Sequence, residues 1–357
     1  MKIAILVDQP HWTGVGIYAV ELFKLLNGKI NDLKLIYTGA VSDDYYLYDK
    51  SIPMKKTDKL FLRPHIIKEN YKRVIRDTNL SDYLFHYTGT DFWPLKKRRG
   101  VITIHDLIKD KILVRSNLSP KMMINSLERY RKYRSTLRLS KKALKILTMS
   151  RTTQRDISNK IKVESTLISR WIVIDRFKKE NREYCCKVLN LDPMKKYFLS
   201  VGNNRANKRT DLIKIFSDSL PDGYSLLKIG HPINSNNCIN LGMVDDEHYP
   251  LYYSVALAYI HFSDNEGLGL PLLESLGCEL PVICRKIDIN KEILGDSAIY
   301  VSEDEIGKDT VELILKLESE DFMVKMLPLI KARKDMFDSL KISQKYIEAY
   351  ESALETK

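Results

Sequence analysis

Short apolar runs that read as strands alternate with helix-spaced stretches along the chain, and this alternation constrains the fold more than any other feature. "KIAILV" (2–7) precedes "VGIYAVELFKLL" (15–26), and "LKLIYTG" (33–39) follows. "DYLFHY" (82–87), "GVITIHD" (100–106) and "LKILTMS" (144–150) continue the series, with a long basic helix-like stretch near 119–142 before the last. Strands that are apolar on both faces belong in a parallel sheet covered on each side by helices. The pattern restarts with "KYFLSVG" (196–202), "SLLKIG" (225–230) and "INLGMV" (239–244). "LAYIHFS" (257–263), "PVICRK" (281–286) and "AIYVS" (298–302) close it, and a helix-like tail fills 305–357. The spacing therefore predicts two doubly wound α/β domains. A chain of 357 residues is long enough for both. Periodicity fades and charges crowd over 170–186, which places the boundary there.

Two such domains predict a cleft, with ligands beyond the C-terminal strand ends. That directs attention to the strand-end loops 8–16, 88–94, 105–110, 202–209, 230–237 and 263–271.

Composition excludes several classes. Hydrophobic residues make up 44% and charged residues 29%, as in a soluble globular protein. No window offers the ~18 uncharged apolar residues of a membrane span. The apolar run before Asp8 is too short for a signal-peptide core. The cysteines are Cys185, Cys186, Cys238, Cys278 and Cys284; they are odd in number and contain no C-x-x-C, so reduced thiols fit better than disulfides or zinc. Residues 1–180 carry 37 Lys and Arg against 18 Asp and Glu, whereas residues 181–357 carry 21 against 28. Either the first half meets something anionic or the chain is simply lysine-rich.

Two loops carry candidate chemistry. In "DQPHWTGVG" (8–16), Gly14 and Gly16 stand at a helix start, where free amides and a partial positive charge suit phosphate. A plain turn explains them equally well, because the third glycine of a dinucleotide fingerprint is absent. In "SDNEGLGLP" (263–271), Glu266 lies on the loop and Pro271 suits the first turn of the next helix, with Glu274 one turn inside it. Carboxylates accept paired hydroxyls well, so one could hold a sugar and the other a ribose while glycine amides hold phosphate. The alternative is one capping and one surface glutamate.

The stretch "EGLGLPLLES" followed by "LGCELPVICRKID" resembles the E-x7-E signature of the retaining nucleotide-sugar glycosyltransferases of family four. Other landmarks of that family occur in order: "TGVGIY" (13–18), "VITIHDL" (101–107), "ILTMSRTTQRDI" (146–157), "YFLSVGNNRANKRTDLI" (197–213) and "NLGMVDDEHYPLYYSVALAYIHFS" (240–263). The resemblance covers nearly the whole chain. It implies the GT-B fold, two Rossmann-like doubly wound parallel-sheet domains facing across a cleft. The implied domains are an acceptor-binding domain at 1–178, a nucleotide-sugar domain at 179–335 and a C-terminal helix at 336–357 packing back towards the first.

The site residues follow from the same resemblance. Glu266 and the amides of Leu268 and Gly269 would contact the donor sugar, with Leu270 beside them; Glu274 would hold the ribose. Lys208 would meet the diphosphate. The family's Arg before that lysine is replaced by Asn207, so Arg205 or Arg209 must supply the second positive charge, and Arg205 is preferred. Gly14 and Gly16 would admit the donor phosphate, and His105 would face the donor sugar near the reaction centre, with Asp106 orienting it or capping the next helix. Fixed cations stabilise the leaving diphosphate, so neither a metal nor another cofactor is expected. No protein nucleophile is assigned.

The implied reaction is retaining transfer of a hexose, mannose by family habit, from a nucleoside-diphosphate sugar to a glycan or lipid-linked acceptor. The basic segment 119–146 and "KKRR" (96–99) beside Phe92 and Trp93 would suit an anionic membrane surface, or else form a solvated face. The expected location is cytoplasmic, peripheral to the inner face of the membrane. Two rivals remain: a nucleotide-sugar epimerase of the same architecture, and a nucleic-acid-binding protein, for which no reader motif is present.

Overall fold

The apolar runs of the first half form one six-stranded sheet in the computed structural model. The structure describes residues 1–11, 13–40, 48–49, 51, 54–56, 63–89, 98–107, 137–173, 175–267 and 269–356. The strands are β1 (Lys2–Val7), β2 (Asp32–Tyr37), β3 (Leu84–Tyr87), β4 (Val101–Ile104), β5 (Lys145–Thr148) and β6 (Thr166–Leu167). Their order is β2-β1-β3-β4-β5-β6, and every pairing is parallel. Ile3 to Val7 are fully buried, as a strand covered on both faces requires. The helices α1 (Gly14–Leu26), α2 (Arg63–Arg76) and α3 (Arg151–Ile161) belong to this unit. Thr13 caps α1 by accepting from the Gly16 amide, and Ser150 caps α3 by accepting from Thr153.

The second half builds its own sheet from β7 (Lys196–Gly202), β8 (Tyr224–Gly230), β9 (Cys238–Gly242), β10 (Ala256–His261), β11 (Val282–Arg285) and β12 (Ala298–Val301). The order is β12-β11-β10-β7-β8-β9, again all parallel. Its helices are α4 (Arg182–Val188), α5 (Thr210–Asp218), α6 (Tyr249–Val255), α7 (Leu270–Gly277), α8 (Asp288–Leu294), α9 (Thr310–Glu318) and α10 (Glu320–Asp335). From β7 the chain runs outward through β8 and β9, then returns to β10 on the other side. The two central strands therefore flank a topological switch point, where their C-terminal loops part and leave a crevice.

The helix-like tail divides into three helices. After α9 and α10 comes α11 (Ser339–Glu355), and Ser319 caps the start of α10. The chain divides into residues 1–169 with 340–357, and residues 170–339. In the first unit, α11 buries Tyr346 and Tyr350 completely. The Tyr346 hydroxyl bonds Tyr18 of α1 at 2.8 Å, and the Tyr350 hydroxyl bonds His86 Nδ1 at 2.7 Å. His86 Nε2 in turn meets Thr103 Oγ1 at 2.8 Å, and Tyr18 meets the same oxygen at 3.0 Å. This buried polar chain is satisfied along its length, which is the condition for it to fix a single packing. Burial and the nearby His105 push the His86 ring down to about 3, so it stays neutral.

All five cysteines are free thiols. Among the described residues no helix is long and apolar enough to cross a membrane. Phe92, Trp93, Lys96, Lys97 and most of the basic segment 119–146 lie outside the described residues.

Candidate active site

The loops after β7 and β10 come together at the switch point of the second unit. The first carries "NNRANKRT" (203–210) and the second "FSDNEGLG" (262–269). Asn207 joins them: its Nδ2 donates to the Asn265 carbonyl at 2.9 Å, and its own carbonyl accepts the Asp264 amide at 2.8 Å. The residue that departs from the family pattern is thus the one that ties the lysine loop to the glutamate loop.

That tie brings Lys208 and Glu266 together. The Lys208 ammonium donates to Glu266 Oε1 at 2.7 Å, and both side chains are largely buried, 21% and 10% exposed. Burial opposes charge on Glu266, but the His261 ring, the Lys208 ammonium and the Ser263 hydroxyl outweigh it and hold the carboxyl below the usual range. Burial also pushes the His261 ring down to about 4. That ring is therefore neutral at pH 7, where Lys208 and Ser263 carry the effect.

Glu274 stands apart from this pair. Its Oε2 accepts from the Tyr253 hydroxyl at 2.6 Å and the Tyr249 hydroxyl at 2.8 Å. The two tyrosines sit four residues apart on α6, hence on one face of the helix. Burial raises the Glu274 carboxyl above the usual range, and the two phenols only partly offset it. Gly269 precedes α7 at φ 77°, a left-handed conformation open to glycine, and Pro271 lies in the first turn of α7. Leu270 opens that helix, half-buried, and Leu268 lies outside the described residues.

The two arginine candidates differ. Arg209 is left-handed at φ 46° and its guanidinium is engaged by Asp211 Oδ2 at 2.8 Å, Glu303 Oε2 at 2.9 Å and Asp264 Oδ1 at 3.4 Å. Arg285, ending β11, bonds Asp264 and Glu303 as well. Hydrogen bonds that it donates to Glu303 and Asp211 raise the Arg209 guanidinium still further above its ordinary value. Arg205 is exposed and makes no side-chain ion pair among the described residues.

In the first unit, His105 follows β4 with its Nε2 3.0 Å from the Thr88 carbonyl. A carbonyl oxygen only accepts, so this ring nitrogen carries the proton. The ring meets Tyr18 of α1 edge to face, centroids 4.8 Å apart. Gly14 begins α1, and Gly16 has a local reason of its own: a Cβ there would lie 1.9 Å from the Pro10 carbonyl oxygen. Its amide already bonds Thr13 Oγ1 at 3.1 Å.

The sequence marks Asn207 only as a departure from the family pattern and gives no site role to Tyr249, Tyr253 or His261. The i, i+4 tyrosines of "HYPLYYSV" are a further visible signal. Among the described residues, no group of three or more His, Cys, Asp or Glu is gathered as metal ligands would be.

Two parallel-sheet Rossmann-like domains with a site at the strand ends define the architecture of the GT-B glycosyltransferases. Residues 181–334 match the family model described as "Glycosyl transferases group 1". The chain is 23% identical to O-antigen chain mannosyltransferase B of Escherichia coli over 87% of its length and 88% of the relative's. It is 24% identical to O-antigen chain mannosyltransferase RfbU of Salmonella typhimurium, covering 92% and 94%. Among solved structures, WaaG, a glycosyltransferase involved in lipopolysaccharide biosynthesis, matches with a TM-score of 0.74 at 15% identity, covering 98% of this chain and 99% of that one. Anabaena HepE in complex with UDP-glucose matches at 0.73 and 13% identity, covering 99% and 100%. Together these findings support a glycosyltransferase of GT-B architecture. They do not favour the epimerase reading.

Proposed function

We propose that the protein is a retaining, metal-independent hexosyltransferase that moves mannose from GDP-mannose to a glycan or lipid-linked acceptor in polysaccharide biosynthesis. The observation that carries this reading is the Lys208–Glu266 pair at the switch point, 2.7 Å apart, with Glu274 presented one helical turn into α7. In the proposed complex Glu266 and the Gly269 amide grip the donor sugar, Glu274 accepts the ribose hydroxyls, and Lys208 meets the diphosphate. Arg205 serves as the second cation, since Arg209 already holds three carboxylates. These fixed charges stabilise the negative charge that grows on the leaving diphosphate, the task a metal would otherwise perform. The same reading assigns His105 of the first unit to the donor sugar, and its Nε2 carries the proton. The mannosyltransferase relatives point to mannose as the first donor to test.

Thermal-shift screening against GDP-mannose, UDP-glucose and other nucleotide sugars tests the donor, because a ligand that binds only the folded state raises its melting temperature. Anomeric proton coupling in the NMR spectrum of the product tests retention, and turnover in EDTA tests metal independence. Absence of any nucleotide-sugar shift overturns the reading. Cytoplasmic residence at the inner membrane face belongs to the same proposal, tested by pelleting with phosphatidylglycerol vesicles.

A further inference from the structure

Glu266 has a second neighbour that the roles above leave without one. His261 ends β10 and is 3% exposed, and its Nε2 lies 3.7 Å from Glu266 Oε1, too far for a hydrogen bond. That nitrogen has no hydrogen-bond partner. A buried polar atom without a partner is costly and calls for an explanation. The nitrogen lies nearest the same Oε1 that the Lys208 ammonium bonds at 2.7 Å. Beside it, a recess lined by Ser200, Gly202, Lys208, Lys228 and Ser263 has room for about one water molecule. Glu266 Oε1 therefore has a cation that bonds it and an imidazole just out of reach.

We propose that His261 is the positioning residue for Glu266 in the donor-bound state, taking over the carboxylate when the Lys208 ammonium turns to the diphosphate. The inference rests on the donor reading above. In the free protein the Lys208 ammonium donates to Glu266, and a bound diphosphate competes for that ammonium. Glu266 must then be held in place for the sugar hydroxyls by another protein donor, and the imidazole needs to move by less than 1 Å to be that donor.

The electrostatics follow the same geometry. The groups facing His261 are Glu266 and Lys208 from the two loops, the Tyr259 ring on its own strand with centroids 5.9 Å apart, and Lys228 of β8 across the recess. Burial and Lys208 disfavour the imidazolium, and Glu266 favours it. Lys228 Nζ is fixed on the Gly202 and Ile229 carbonyls at 2.8 and 2.9 Å. Withdrawal of Lys208 removes one opposing influence and leaves Glu266 as the unshared counter-charge, which favours a proton on Nε2, while burial, the largest influence, is unchanged and keeps the ring neutral.

Calorimetric titration with GDP and with UDP at pH 7 tests the hand-over. The expected result is an affinity about threefold to tenfold lower for His261→Leu than for the wild type, with His261→Gln, which keeps a donor near Glu266, recovering most of it. In the wild type the His261 Nε2–H proton, assigned by its loss in His261→Gln, should move downfield on adding GDP while the ring nitrogens keep the pattern of a neutral imidazole, a readout independent of whether His261→Leu folds. Wild-type affinity in His261→Leu, or no movement of that proton, overturns the role of His261 alone. Failure of both nucleotides to bind overturns the donor reading and this inference with it.

Discussion

At the scale of single residues, Lys208, Glu266 and Glu274 are separable by their environments. Lys208→Ala should lower turnover by roughly 10²–10³, the usual effect of deleting one group that stabilises developing charge; steady-state rates with the donor identified by screening check it. Glu266 is held below the ordinary carboxylate range, so its contribution to stability is present above the unfolded value of about 4.3 and is lost as pH falls through the lower folded value. Glu266→Gln should therefore flatten the pH dependence of the urea midpoint below about pH 4.3. Glu274 is the opposite case, since burial raises it and its charge works against the fold. Glu274→Gln keeps an acceptor for Tyr249 and Tyr253 and removes that charge. Its melting temperature should equal or exceed the wild type's, while nucleotide affinity by calorimetry falls about tenfold or more.

At the scale of elements, the entry to α1 depends on a close contact. Any side chain at Gly16 meets the Pro10 carbonyl, and no rotamer relieves it because the clash begins at Cβ. Gly16→Ala should cost about 1–3 kcal/mol, the usual range for forced overpacking, measured by urea unfolding. A loss of activity in that variant with stability unchanged would instead place the constraint on the donor. The strands and their order of appearance were legible from the sequence, because runs such as "KIAILV" and "KYFLSVG" are apolar on both faces and only a covered parallel sheet accommodates them. The strand-end loops could be located for the same reason. What could not be read was which side chains meet across those loops. Arg209 finds Asp264 and Glu303, 55 and 94 residues away, and Glu274 finds Tyr253 21 residues back. Periodicity reports which face a residue occupies and carries no record of such partners.

At the scale of the molecule, the tail shows the same limit. Helical spacing over 305–357 is visible, but spacing alone does not assign each helix to a unit; only the family resemblance implies that 336–357 packs back towards the first domain, and residues 340–357 group with the first unit. The segments that lead into and out of the second unit meet: the Ile172 amide donates to the Phe337 carbonyl at 3.0 Å. A domain whose two ends adjoin is a self-contained insertion. A fragment spanning 170–339 should therefore unfold cooperatively on its own, by circular dichroism in urea. A chain ending at 338 should lack a cooperative transition for the first unit, since it forfeits the buried Tyr346 and Tyr350, about 2–3 kcal/mol each against a total margin of about 5–15.

The bond between Tyr18 and Tyr346 spans 328 positions of chain. On the ribosome the first sheet emerges early yet waits, one helix short, while the whole of the second unit is translated and can fold. Synthesis order and completion order are thus reversed: the unit that begins first closes second, and during that interval the surface reserved for α11 is open to chaperones.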